Sequence, residues 1–370
     1  MSAFGFMPGR EVKEAGLGNL GLQDQREAMR WIQRYISQFG GDPTKVTIWG
    51  ESAGAWSVGL HLLANNGDPG GLFRAAIIES GSIYPTGDIS LGQECFDTFV
   101  HQTGCGAAAD KLACLRTVPY DNYTAAMEAS LEYQASLIDG VFLVDNPWDL
   151  IAAGKIANIP VINGCVDDEG TLFTIFTSAG NISTEAEFRA SVQKEWFPQA
   201  PSHIIDQILE YYPSNVTLGS PFGTGEANAA NPEYKRVSAF MGDAFFQATK
   251  SIQAFQRFAS IRIGERLLRN VRLSSKRLMS SKFHSSDNTA IYQLNNNLLN
   301  YMIRFVNDLD PSGSSDLAWP KYTTESPLLL TLLDPDDTLE LSNDTYRQQE
   351  IAYLTDLIVK YPWQFNSYGI

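Results

Sequence analysis

Apolar residues between Leu22 and Phe39 recur at helical spacing, with Ala28, Ile32, Tyr35, Ile36 and Phe39 on one stripe. The spacing predicts an amphipathic helix that ends at Gly40-Gly41-Asp42-Pro43. A short apolar run follows, Lys45-Val46-Thr47-Ile48-Trp49, and then a helical pattern from Ala53 to Ala64. Phe73 to Ile78, placed just after Gly70-Gly71, is a second short run of the kind a buried parallel strand requires. Ile83 to Tyr133 reads as helix and loop, with little strand character. Ala157 to Gly164 is a third strand, followed by the acidic loop Asp167-Asp168-Glu169-Gly170. Helical patterning then dominates from Thr184 to Phe258. Strands alternating with helices predict an α/β fold, a mostly parallel sheet with helices on both faces, formed as one domain over residues 1–370.

Composition narrows the partners. With 370 residues and 44% hydrophobic content, the chain can bury a sizeable core. A net charge of −15 disfavours nucleic acid and anionic membrane surfaces. No apolar run approaches the roughly 18 residues of a membrane helix, so no integral membrane segment is expected. Met1 to Phe6 has neither the basic nor the long apolar region of a signal peptide. No spacing of Cys and His suggests a metal site. Cys105 and Cys114 lie close together in a Gly/Ala-rich stretch, a spacing compatible with a disulfide in an oxidising compartment. Cys95 and Cys165 have no evident partner and read as buried small hydrophobes. Sequons begin at Asn122, Asn181, Asn215 and Asn343, and with the cysteine pair they lean towards a secreted parent protein. One stretch departs from the acidic trend: Gln256 to Lys282 carries eight basic residues against one acidic, read as a solvated helix face.

The chemistry centres on Gly50-Glu51-Ser52-Ala53-Gly54, set between a strand pattern and a helix pattern. That order is what a nucleophile elbow requires: a sharp turn lifts the serine hydroxyl clear of the sheet and sets backbone N–H groups beside it. The neighbours two positions before and after are expected to be small, so that they clear the turn. An activated serine needs an imidazole to take its proton and a carboxylate to orient that imidazole. The chain has four histidines. His61 lies about two and a half turns along the helix that starts at the serine, too far up its axis. His101 and His203 fall in helical patterns and read as surface residues. His284 lies in the polar loop Phe283-His284-Ser285-Ser286-Asp287, downstream of the serine, in the chain order nucleophile, acid, base. For the acid, Asp167, Asp168 and Glu169 all qualify by position, and residue type does not choose between them.

These stretches together resemble the type-B carboxylesterase/lipase family, which includes the cholinesterases, and most of all its secreted fungal lipase and esterase branch. The resemblance rests on Gly18 to Gln25, on Phe39-Gly40-Gly41-Asp42-Pro43 through the elbow, and on Leu72 to Ile77 with Ser80-Gly81-Ser82. It continues through Asp168-Glu169-Gly170-Thr171, Phe283 to Asp287, Tyr301 to Phe305 and Asp308-Leu309-Asp310-Pro311. It implies an α/β-hydrolase fold and cleavage of carboxylic esters through an acyl-enzyme, with no metal or organic cofactor. Ser52 would be the nucleophile, Glu169 the acid, His284 the base, and the Ala53 N–H an oxyanion donor. The substrate would be a small-molecule or lipid ester, the location secreted, and Cys105 and Cys114 would close the family's small disulfide loop.

Two departures from the family pattern carry expectations of their own. The family's Gly-rich oxyanion loop has no counterpart here, and Met1 to Phe6 matches the end of the strand that follows it. The resemblance therefore implies that N-terminal strands are missing and that a sheet edge is open to association. Asn270 to Leu278 falls where the family has an aromatic-rich strand, yet carries Arg and Ser. A weak strand is expected there, as from a shifted reading frame between about Ser260 and Arg277. Two rivals to an active esterase are a non-catalytic, cholinesterase-like binding protein and an inert fragment of an esterase.

Overall fold

The computed structural model describes residues 2–130, 137–250, 268–273, 295–313, 317–323, 325–333 and 338–361. Among the described residues, six strands form one sheet in the order β1-β2-β3-β4-β5-β6. They are β1 Thr47–Glu51, β2 Ala75–Glu79, β3 Val161–Val166, β4 Leu268–Leu273, β5 Leu328–Leu333 and β6 Thr338–Asn343. β1 to β5 run parallel, and only β6 is antiparallel to its neighbour. The helices used below are α1 Ser2–Phe6, α2 Leu20–Tyr35, α3 Ala53–Gly67, α4 Glu169–Phe176, α5 Tyr234–Met241, α6 Ala248–Lys250, α7 Asn295–Asp308 and α8 Gln348–Lys360. A π-helical segment, Gly242–Gln247, joins α5 to α6.

β2 is apolar up to Glu79 because it is buried on both faces. Its residues alternate between two cores. Ala76 and Ile78 pack with Ala55, Val58 and Leu62 of α3 and Met29 of α2. Ala75 and Ile77 face the other way, onto Tyr301, Met302 and Phe305 of α7 and onto Trp319 and Leu330. Helices thus cover both faces, as the α/β pattern predicts. A third and larger core, rich in aromatics from Phe188, Trp196, Phe240, Phe245 and Phe246, packs against Leu354 and Ile358 of α8.

Several expectations need correction. Ser2–Phe6 is a short helix where a strand end was expected. α2 forms as predicted, but its buried face is shifted. Leu22, Arg26 and Met29 are buried, whereas Ala28 and Phe39 of the expected stripe are exposed. Gln33, on the same side, anchors the helix by donating to the carbonyls of Pro43 and Leu72. An arginine and a glutamine on the inner face cannot be found by hydropathy. β4 forms in the middle of the sheet, between β3 and β5, where a weak strand was expected. Ladder bonds to a strand on each side supply what its composition does not favour. β5 and β6 were not anticipated, although Leu328–Leu333 is nearly all leucine.

Candidate active site

Ser52 stands at the carboxyl end of β1, at φ 53° and ψ −123°, a left-handed conformation that a non-glycine residue adopts only under constraint. The constraint is visible in the backbone. The Ser52 N–H donates to the Glu79 carbonyl of β2 at 3.0 Å, and its own carbonyl accepts from Trp56 N at 3.1 Å, starting α3. Ala53 is the first residue of α3 and is exposed, so its N–H has no acceptor within the helix.

The glycine requirement is uneven. A Cβ on Gly50 would collide with the backbone of Gly54 and come within 2.7 Å of Ala55 N. A Cβ on Gly54 would meet nothing within 4 Å, so the expected need for a small residue after the serine is not steric. A glycine not singled out from sequence, Gly81, is also tightly packed against the elbow. A Cβ there would lie 2.8 Å from Ala55 Cβ and 3.0 Å from the Ser52 carbonyl.

Two strands away, β3 ends at Val166 and α4 begins at Glu169. The register sets Glu51 beside Glu79 and Glu79 beside Gly164, so the carboxyl ends of β1, β2 and β3 form one rim. The three acids of the loop after β3 have different surroundings. Asp168 is buried and accepts from Ser220 Oγ at 2.7 Å and from Phe222 N at 2.9 Å, which ties it to a neighbouring loop. Asp167 is half-buried, and its carbonyl accepts from the Tyr346 hydroxyl at 3.3 Å. Glu169 is buried on the rim; Oε1 accepts from Val166 N at 3.0 Å, and the Ser80 side chain also hydrogen-bonds the carboxylate. Ser80 follows β2 at φ 52°, so it too is held in the left-handed region, between the ends of β1 and β3.

Burial pushes the Glu169 carboxyl up to about 7. The bonds from Val166 and Ser80 oppose that rise, the charge of Glu51 adds to it, and Lys250 opposes it. The arrangement is a buried, hydrogen-bonded carboxyl with a perturbed pKa two strands from a strained serine, a combination found at functional sites. Sequence reading missed Ser80 and Gly81 as functional positions, although Ser80-Gly81-Ser82 contributed to the resemblance. Ser52, Ala53 and Glu169 come to the same rim. His284 lies outside the described residues.

The other histidines fall where the sequence reading set them aside. His101 and His203 are exposed. His61 is buried in α3, its Nε2 is 2.8 Å from Gln25 Oε1, and burial pushes the imidazole down to about 3. Cys105 and Cys114 are joined in a disulfide, while Cys165, buried, and Cys95, half-buried, stand outside any disulfide. All four sequon asparagines are exposed. Among the described residues, no helix is long and apolar enough to cross a membrane.

A model of the Carboxylesterase family matches residues 1–260. The chain belongs to the carboxylesterase family. It is 38% identical over 350 residues to "Lipase 4" of Diutina rugosa, covering 88% of this chain and 62% of that protein. It is also 38% identical over 359 residues to "Secreted lipase 1" of Botryotinia fuckeliana (strain B05.10), covering 89% of this chain and 61% of that protein. The chain thus spans less than two thirds of the length of these relatives. Among solved structures, that of Aspergillus niger EstA superposes with a TM-score of 0.78 at 26% identity, covering 98% of this chain and 73% of that one. The fold is therefore the α/β-hydrolase fold expected from the resemblance.

Proposed function

We propose that the chain is a carboxylic ester hydrolase that works through a Ser52–His284–Glu169 relay and an acyl-enzyme. The observation that carries this reading is the strained Ser52 on the same rim as the buried Glu169, whose carboxylate is held by Val166 N and the Ser80 side chain. Ser52 Oγ attacks the ester carbonyl while the imidazole takes its proton. The carbonyl oxygen gathers negative charge, which the Ala53 N–H, unused within the helix, helps to hold. Collapse of the adduct expels the alcohol, which receives the proton from the imidazolium. Water then repeats the sequence on the acyl-enzyme and releases the acid. Glu169, ionised, stabilises the imidazolium. Asp168 is already committed to Ser220 and Phe222, which favours Glu169 as the acid.

Neighbouring strands are spaced by about 4.8 Å, so the ends of β1 and β3, after which Ser52 and Glu169 follow, are roughly 10 Å apart, a span on the scale of an imidazole hydrogen-bonded on both sides. In the chain order nucleophile, acid, base, His284 comes after β4 and lies outside the described residues. Relatives named as lipases favour a lipid ester as substrate. A disulfide, exposed sequon asparagines and a relative named as secreted favour an extracellular location.

The test is labelling with an organophosphonate and turnover of a short chromogenic ester. Both should be lost in Ser52→Ala, and turnover should fall by several orders of magnitude in His284→Ala. Equal turnover by the parent and Ser52→Ala would sink the reading. A parent that folds but takes no label would favour a binding protein or an inert fragment.

A further inference from the structure

Glu169 receives a hydrogen bond from Val166 N, and Val166 is itself held by another residue. Gln247, at the end of the π-helical segment, is buried beneath the end of β3. Its Nε2 donates to the Val166 carbonyl at 3.0 Å, and its Oε1 accepts from Cys165 Sγ at 3.1 Å. The two contacts fix the amide's orientation, because the carbonyl can only accept and the thiol is the donor on the other side. The amide therefore braces two successive residues, one through its backbone and one through its side chain.

Two features bring this brace to the site. Gly170, next to the acid, lets α4 cross the helical run at its bend: a Cβ there would collide with the Ser238 carbonyl and lie 2.5 Å from Gly242 N. The wider π-turn then begins at Gly242 and carries Gln247 under β3, a geometry frequent at functional sites.

We propose that Gln247 is a positioning residue for Glu169: it holds Val166 so that the backbone N–H stays aimed at the acid's carboxylate. This rests on the proposed role of Glu169 as the acid of the relay. Among the described residues, three titratable groups act on the carboxylate. Glu51 faces it from β1, Lys250 from α6, and the Cys165 thiol from β3. Asp168 and Asp243 face away into other bonds, with Ser220 and with Tyr212 and Arg347, and Lys235 of α5 is bonded to Thr224 and Gly225. Removing the Gln247 amide leaves Lys250 and Glu51 in place, so the change at Glu169 comes from the Val166 bond.

The test follows the Glu169 carboxyl directly, by infrared pH titration with Glu169→Gln as the blank. In Gln247→Met, a side chain of similar length without the amide, the midpoint should rise by about one pH unit, the weight of one weakened hydrogen bond to a charged group. If that variant fails to fold, the contrast between Cys165→Ala and Cys165→Ser decides. The first removes the donor that orients the amide and should raise the midpoint, whereas the second keeps a donor and should leave it near the parent value. An unmoved midpoint in folded Gln247→Met, or equal midpoints in the two Cys165 variants, overturns the proposal. Ester turnover separates this from the hydrolase reading. The acid limb of kcat/KM should move with the infrared midpoint while KM is unchanged. An infrared shift without a moving acid limb supports the brace and removes Glu169 from the relay. Turnover that survives Ser52→Ala overturns the hydrolase reading, and the titration still decides the brace.

Discussion

At the scale of single residues, Glu169 shows how one environment sets both stability and chemistry. Burial raises its carboxyl to about 7, well above the value of an unfolded glutamate, near 4.3. Between those two values the folded chain binds the proton that the unfolded chain has released. Folding stability from this group therefore falls as pH rises from about 4 to 7, by up to about 4 kcal/mol, and is level beyond. Glu169→Gln, which can still accept from Val166 N, should unfold at higher denaturant than the parent at pH 8 and match it at pH 4. Urea unfolding at the two pH values checks this, and an advantage that does not grow with pH contradicts it. The strained serine and its glycines were largely legible in the sequence because the elbow is a local motif: Gly50 guards it from one strand, at five-residue range. Gly81 was not, because its collision is with Ala55 and the Ser52 carbonyl, which belong to a different strand–helix unit. The choice among Asp167, Asp168 and Glu169 depended in the same way on groups distant in the chain, Ser80, Ser220 and Phe222.

At the scale of elements, α4 and α5 are set by a close crossing. Gly170 presses on the Ser238 carbonyl, and across it a Cβ on Gly242 would lie 3.0 Å from Gly170 N. Neither backbone can give way without moving a buried helix. Gly170→Ala should therefore cost about 2–4 kcal/mol, more than the usual gain of replacing a helical glycine by alanine, and it should reduce organophosphonate labelling of Ser52. Denaturant unfolding read beside labelling checks both parts, and a stabilised variant with full labelling would contradict them. The same scale explains the errors in reading the helices and strands. Periodicity placed α2 correctly but chose the wrong stripe, because Arg26 is buried and Gln33 is anchored on the inner face by backbone carbonyls of another segment. β4 is polar by composition, yet it forms in the sheet because partners on both sides complete its ladder. Pattern reading weighs a segment alone, whereas a central strand is judged by its neighbours.

At the scale of the whole molecule, stability is divided among separate cores. The N-terminal cluster of Val12, Phe96, Phe99, Val100 and Leu115 is small and is clasped by the disulfide between Cys105 and Cys114, nine residues apart. Opening that short loop by Cys105→Ala with Cys114→Ala should cost about 2–3 kcal/mol, felt first in this cluster. Hydrogen exchange should show faster opening at Phe96 to Val100 than on β2, and uniform loss across the chain would contradict a local clasp. Taken by itself, the sequence determined the class of the fold, the elbow, the disulfide pair and the set of candidate acids. Each of these is written in residues close along the chain, where periodicity and turn chemistry act. Only the tertiary structure decided which face of α2 is buried, that a strand of mixed composition fills the sheet, what each of the three loop acids is bonded to, and that Gln247 braces Val166. Those outcomes rest on contacts between segments tens to hundreds of residues apart, where burial and the completion of hydrogen bonds outweigh local preference.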